Sequence, residues 1–167
     1  MGATLVQHPE LLRTVVSEVG IYDALRWELQ PNGAFNVTEF GSVKDPDQFR
    51  ALYAYSHYAS ARGGVAYPAV LFTTGDNDGR VAPHQSQKMM ARLQAGSSSP
   101  NPILLRTEAA AGHGIGTALS TQIEEEADVY AFLADQLGMA ATPAPAEGRD
   151  AEKAPVTAQR GPEAARR

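Results

Sequence analysis

The chain has 167 residues, enough for one domain with its own core and too few for two of ordinary size. Hydrophobic residues make up 43% and charged residues 20%, as in globular proteins, and the formal charge of -5 argues against sequence-independent binding to nucleic acid or to an anionic membrane. Cysteine is absent, which excludes disulfides, thiol catalysis and thiolate metal sites and favours a cytoplasmic setting. Residues 1–6 have neither the basic start nor the apolar core of a signal peptide. No apolar run approaches the roughly 20 residues that cross a bilayer, so no membrane partner is expected.

In chain order, residues 1–7 read as the last turns of a helix without an N-cap signal, a first hint that the sequence starts inside a larger domain. His8-Pro9-Glu10 breaks it, and the β-branched run 14–19 predicts a strand ending at Gly20. Residues 21–29 suggest a short helix, and Gln30-Pro31-Asn32-Gly33 a turn. Asp45 as N-cap with Pro46 in the first helical position predicts a helix to Tyr55. A buried strand follows over 67–74, a helix over 83–94 closed by Gly96, and a strand over 102–107. Thr121 with Glu124 has the pattern of a capping box for a last helix, whose apolar stripe is Ile123, Ala127, Tyr130, Ala134 and Leu137. From Ala140 the composition turns to Ala, Pro and mixed charge, so 1–139 is expected to fold and 140–167 to be a disordered tail.

Strands alternating with helices imply an α/β fold with a parallel sheet. Three strands leave both sheet edges bare, so the chain is expected to be one end of a larger domain, with association through those edges possible.

Asp78, in Asp76-Asn77-Asp78-Gly79-Arg80-Val81, follows the second strand, and His113, in Ala111-Gly112-His113-Gly114, follows the third. The carboxyl edge of a parallel sheet is where ligands bind. A parallel-sheet hydrolase presents its nucleophile, acid and histidine in that chain order on such loops, and Asp78 and His113 suit the second and third roles. The histidine would take the nucleophile's proton and return it to the leaving group, while the acid holds the ring's tautomer. The plainer alternatives are an Asp that serves its own turn and a solvated His. A calcium loop would put Thr74 and Gln85 where Asp and Glu belong, so no metal is expected, and nothing calls for a cofactor. Arg80 either pairs with Asp76 or points its donors at a substrate carbonyl.

With Tyr67-Pro68-Ala69-Val70-Leu71, the Asp78 and His113 motifs, and the helix from Ile123-Glu124-Glu125 to Phe132-Leu133, the chain resembles the catalytic domain of the prolyl oligopeptidase family of serine peptidases. His8-Pro9-Glu10-Leu11 and Thr38-Glu39-Phe40-Gly41 are similar to the same family, so the likeness covers about residues 1–138. It implies the C-terminal part of an α/β-hydrolase fold and hydrolysis of peptide substrates. Asp78 then matches the triad acid, His113 the triad histidine, and Arg80 a substrate-binding arginine, with Ile21 and Val81 lining a proline-side pocket. Asn36 falls where members carry a proline-stacking tryptophan and Phe40 where they carry tyrosine, a departure within that pocket.

No Gly-x-Ser-x-Gly occurs in the sequence. The resemblance implies that the nucleophile, the oxyanion hole and a propeller domain lie upstream of Met1. The expected product is therefore a fragment that supplies the acid and the histidine without the serine and is inactive alone. The alternative is a non-catalytic binding or interaction module built from a hydrolase sheet.

Overall fold

The computed structural model describes residues 1–114 and 116–140, so the tail expected from residue 140 lies almost wholly outside the described residues. Helix α1 (Gly2–Gln7) and a 3-10 turn (Pro9–Leu11) lead into strand β1 (Thr14–Glu18). A 3-10 stretch (Ala24–Leu29) and helices α2 (Gly33–Phe40), α3 (Pro46–Tyr55) and α4 (His57–Ser60) precede strand β2 (Ala69–Gly75). Helix α5 (His84–Gly96), strand β3 (Ile103–Glu108) and helix α6 (Leu119–Gln136) complete the order.

The three strands form one parallel sheet in the order β1-β2-β3, with Val15 opposite Val70 and Leu71 opposite Leu104. Every residue of the central strand β2 is buried, which is why its sequence reads as a continuous apolar run rather than an alternation. The core joins Leu5 of α1, Val15 of β1, Val70 and Phe72 of β2, and Met89 and Leu93 of α5, with Tyr67 beside them. Burying one such Leu, Phe or Met side chain contributes about 1.5–3 kcal/mol, so this layer dominates the stability of the sheet. Tyr22 meets Phe72 edge-on at 5.4 Å, and its hydroxyl lies 2.6 Å from Ser17 Oγ. Burial pushes the Tyr22 phenol above its ordinary pKa, against the hydrogen bonds from Ser17 and Ser86.

The local signals of α3 are realised: Asp45 Oδ1 accepts from the amides of Asp47 and Gln48 at 2.9 and 3.0 Å. Elsewhere the structure corrects the expectation. The helix expected over 21–29 is a 3-10 stretch confined to Ala24–Leu29, because Asp23 before it is non-helical at φ -99, ψ 86. Helix α2 was not foreseen, since tertiary contacts hold it: Phe40 packs on Trp27 at 4.3 Å between ring centroids. The Thr121–Glu124 capping box does not form, because α6 begins earlier, at Leu119 after Ala118, and Thr121 is inside the helix. Nor is the expected stripe the buried one. Ile123, Tyr130 and Leu137 are exposed, while Val129 is buried and Phe132 and Leu133 are partly so. The sequence carries two apolar stripes on α6, and helical spacing alone does not choose between them. His57 packs against α1, where a Cβ on Gly2 would come within 2.5 Å of its ring, and burial lowers its pKa. No helix among the described residues is long and apolar enough to cross a membrane.

Candidate active site

The loops after β2 and β3 are tied together along their length. The amides of Asp76 and Asn77 donate to Glu108 O and Ala111 O at 3.0 and 3.1 Å, and Asn77 Nδ2 donates to Ala109 O at 2.7 Å. Gly75, the last residue of β2, permits this approach: a Cβ there would lie 2.4 Å from the carbonyl oxygens of both Ala111 and Gly112. Gly114 follows the histidine at φ 92, a left-handed conformation that glycine adopts without steric penalty.

Asp78 uses its two carboxylate oxygens differently. Oδ1 accepts from the backbone amides of Arg80 and Val81, both at 2.8 Å, closing a turn around Gly79. Oδ2 lies 2.8 Å from His113 Nδ1. The Asp78 side chain is 0% exposed and that of His113 26%, so the carboxylate is sealed in while the ring keeps access to solvent. With a carboxylate as its partner, Nδ1 is assigned as the donor of the ring, which leaves Nε2 as the acceptor. This is the arrangement that a general-base histidine requires.

His113 lines a cavity of about 240 Å³ at the carboxyl edge of the sheet, together with Glu18, Val19, Thr73, Glu125 and Glu126. Burial, with the charges of Glu126 and Glu125, raises the pKa of Glu18. Val19 is the single non-glycine residue at positive φ among the described residues, at 41, and its amide donates to Thr73 O at 3.0 Å. Such a conformation costs a β-branched residue about 1–2 kcal/mol, held here by the strand pairing that precedes it and by its own amide bond to Thr73 O. Among the described residues no group of three or more His, Asp or Glu side chains is placed to hold a metal ion.

The structure thus brings Asp78 and His113 together and sets Arg80 and Val81 beside them through the backbone. Val81 is buried and Arg80 exposed. Ile21 lies elsewhere, in a groove along the free edge of β1 with Val16 and Tyr130. Asn36 and Phe40 line a third place, a narrow crevice under α2 with Trp27 and Leu52. Asn36 Nδ2 donates to Asn32 O at 3.2 Å, one turn back.

Residues 22–32 grip the acid loop from outside, which the sequence did not reveal. Gln85 Oε1 accepts from the amides of Tyr22 and Asp23 at 2.9 and 2.7 Å. Gln30 Oε1 accepts from the Ala82 amide at 3.3 Å, and Asn32 Nδ2 donates to Gly79 O at 2.7 Å. Lys88 pairs with the buried Asp23. Nothing in local patterning marks such partners, which are more than 45 residues apart in the chain.

A parallel sheet with a buried aspartate hydrogen-bonded to a histidine at its carboxyl edge defines part of an α/β-hydrolase catalytic domain. Residues 1–140 match the prolyl oligopeptidase family, and the chain belongs to it. The family is one of serine peptidases. The chain is 37% identical over 142 residues to a prolyl endopeptidase of Dictyostelium discoideum, covering 83% of this chain and 19% of that protein. It superposes on a solved prolyl endopeptidase with a TM-score of 0.79 at 38% identity, covering 83% of this chain and 20% of the other. Prolyl oligopeptidase B of Galerina marginata, bound to a 35mer hydrolysis and macrocyclization substrate, is similar at 28% identity and a TM-score of 0.78 over 84% of this chain and 20% of that one. The chain thus spans about a fifth of the length of these relatives.

Proposed function

We propose that Asp78 and His113 are the acid and the histidine of a Ser-Asp-His triad that hydrolyses peptide bonds, with the serine contributed by polypeptide outside these 167 residues. The observation that carries this reading is the 2.8 Å contact between Asp78 Oδ2 and His113 Nδ1, made by a carboxylate whose other oxygen is fixed by two amides. In the reaction, Nε2 of His113 takes the proton of the serine hydroxyl as its oxygen bonds to the scissile carbonyl carbon. The same proton passes to the departing amine, and water, activated at Nε2, then releases the acyl group. Asp78 holds the ring in place and stabilises the imidazolium that forms. Arg80, exposed within the Asp78 turn, is suited to donate to a peptide carbonyl of the substrate. Val81, Ile21, Phe40 and Asn36 are assigned to substrate binding by family likeness alone.

No Gly-x-Ser-x-Gly is present in the sequence, so the isolated chain is expected to be inactive. A fluorophosphonate probe should leave it unlabelled. Stoichiometric labelling, abolished by replacing one of the chain's own serines, would overturn that expectation. The roles of the pair are tested in a chimera in which residues 1–140 replace the matching fifth of the Dictyostelium prolyl endopeptidase. Peptide hydrolysis there should fall by a factor of about 10⁴ or more on His113→Ala. A chimera that folds and hydrolyses peptide equally well with and without His113 would refute the assignment.

A further inference from the structure

One of the two amides that fix the acid of the pair belongs to a peptide group that Asn32 holds from its far side. The peptide between Gly79 and Arg80 gives its N–H to Asp78 Oδ1 at 2.8 Å, while its carbonyl accepts from Asn32 Nδ2 at 2.7 Å. Since a carbonyl only accepts, the Asn32 amide is oriented with its nitrogen inward. Asn32 is itself steadied at the start of α2, where its carbonyl accepts from Asn36 Nδ2 at 3.2 Å. The hydrogen bonds therefore connect in one line: Asn36 donates to Asn32, Asn32 to the Gly79–Arg80 peptide and that peptide to Asp78, which also accepts from His113.

Among the described residues this peptide makes no other hydrogen bond. Gly79 has no side chain, and a Cβ built on it would meet no atom within 4 Å, so the space beside its Cα is open. Glycine also leaves its flanking dihedrals the freest in the chain. A rotation would swing the Arg80 N–H away from Oδ1 and release half of the restraint on the carboxylate. Asn32 blocks it, and by drawing on the carbonyl it polarises the N–H that faces Asp78.

We propose that Asn32 is a positioning residue for the Asp78–His113 pair, acting through the Gly79–Arg80 peptide; this rests on the triad reading given above. Asn32 hydrogen-bonds to neither Asp78 nor His113, and it is exposed, so its replacement spares the core.

The test uses the 167-residue chain, labelled with ¹⁵N. The unsubstituted chain should show a low-field imidazole N–H resonance that disappears in His113→Gln. In Asn32→Leu, and in Asn32→Asp, which keeps the size and removes the donor, the Arg80 amide should exchange with solvent about five-fold faster. The imidazole resonance should move upfield and broaden in both. The amide of Phe72 in the core strand should keep its rate. Asn101→Ala removes a comparable bond, Asn101 Nδ2 to Tyr67 O at 3.0 Å, away from the pair, and should leave both signals alone. If the unsubstituted chain lacks the imidazole resonance, the pair is not formed and both readings fall. If the resonance is present and unmoved by either Asn32 substitution, the role of Asn32 alone is refuted. Equal acceleration at Arg80 and Phe72 would assign Asn32 to general stability and would refute it as well.

Discussion

Replacing Gly75 with alanine tests whether the close approach of the two loops builds the Asp78–His113 pair. The new Cβ would sit 2.4 Å from Ala111 O and Gly112 O, against 3.4 Å for ordinary contact, so the backbone around residues 111 and 112 must retreat by about 1 Å. That retreat stretches the Asn77 amide bond to Ala111 O, now 3.1 Å, beyond hydrogen-bonding range. Losing this bond, at about 1 kcal/mol, and straining its neighbours predicts a total cost of about 2–3 kcal/mol. For a chain of this size the melting temperature should drop by about 5–10 °C. Because residue 112 precedes the histidine, the imidazole N–H signal should weaken together with the stability. Gly63→Ala is the control: a Cβ there meets nothing within 4 Å, and the change should be neutral within about 0.5 kcal/mol. Differential scanning calorimetry reads both. A Gly75→Ala chain as stable as its parent, with the imidazole signal intact, would show that the loops can part without cost and that the pair does not depend on their contact.

Three further outcomes follow from local chemistry. Glu18 is raised above its ordinary pKa of 4.5 by burial and by Glu126 and Glu125, so the folded state holds its proton more tightly than the unfolded one. Its ionisation therefore costs stability as pH rises from 4.5 upward; Glu18→Gln should raise the melting temperature at pH 7 and leave it unchanged at pH 3.5, and an equal shift at both would refute the electrostatic cause. Asp45→Ala removes the cap of α3 and should cost about 1 kcal/mol in urea unfolding, whereas Asp45→Asn should restore most of it. Val19→Asn, which suits a left-handed backbone, should stabilise the chain by about 1 kcal/mol, seen as a higher urea midpoint at constant slope.

The sheet was legible because its signals are local and strong. Runs expected over 67–74 and 102–107 appear at Ala69–Gly75 and Ile103–Glu108; the first is buried along its whole length, and the second begins with the apolar Ile103-Leu104-Leu105 although only Ile103 is buried. Asp45 and Pro46 likewise announce α3, because a cap needs only the amides two and three residues on. What escaped depends on distant partners. Helix α2 rests on Trp27 and Phe40, the buried side of α6 on which stripe the sheet accepts, and the grip on the acid loop on Gln30, Asn32 and Gln85. In the candidate site, strand order indicated that Asp78 and His113 share an edge. Only Gly75, read in three dimensions, explains why their loops come close enough to bond.

The plainest reading of Asp78, an aspartate closing a turn before glycine, competed with the reading of it as the partner of a histidine. The geometry removes the competition. Oδ1 closes the turn with the Arg80 and Val81 amides, and Oδ2 meets His113, so one carboxylate does both. The two roles also depend on each other physically. A carboxylate bound only to the imidazole could rotate about its Cβ–Cγ bond and offer either oxygen, or both, at varying angles. Two amides on Oδ1 fix that torsion and so fix the direction in which Oδ2 presents itself, at no cost in reorganisation when the ring becomes charged. Weakening the turn while keeping the acid should therefore harm the pair. Arg80→Pro goes half of the way, since proline has no N–H to give to Oδ1 and the Val81 amide alone then holds it. It should broaden the imidazole N–H signal while Asp78 itself remains, and a sharp, unshifted signal in that variant would show that the turn and the pair are independent after all.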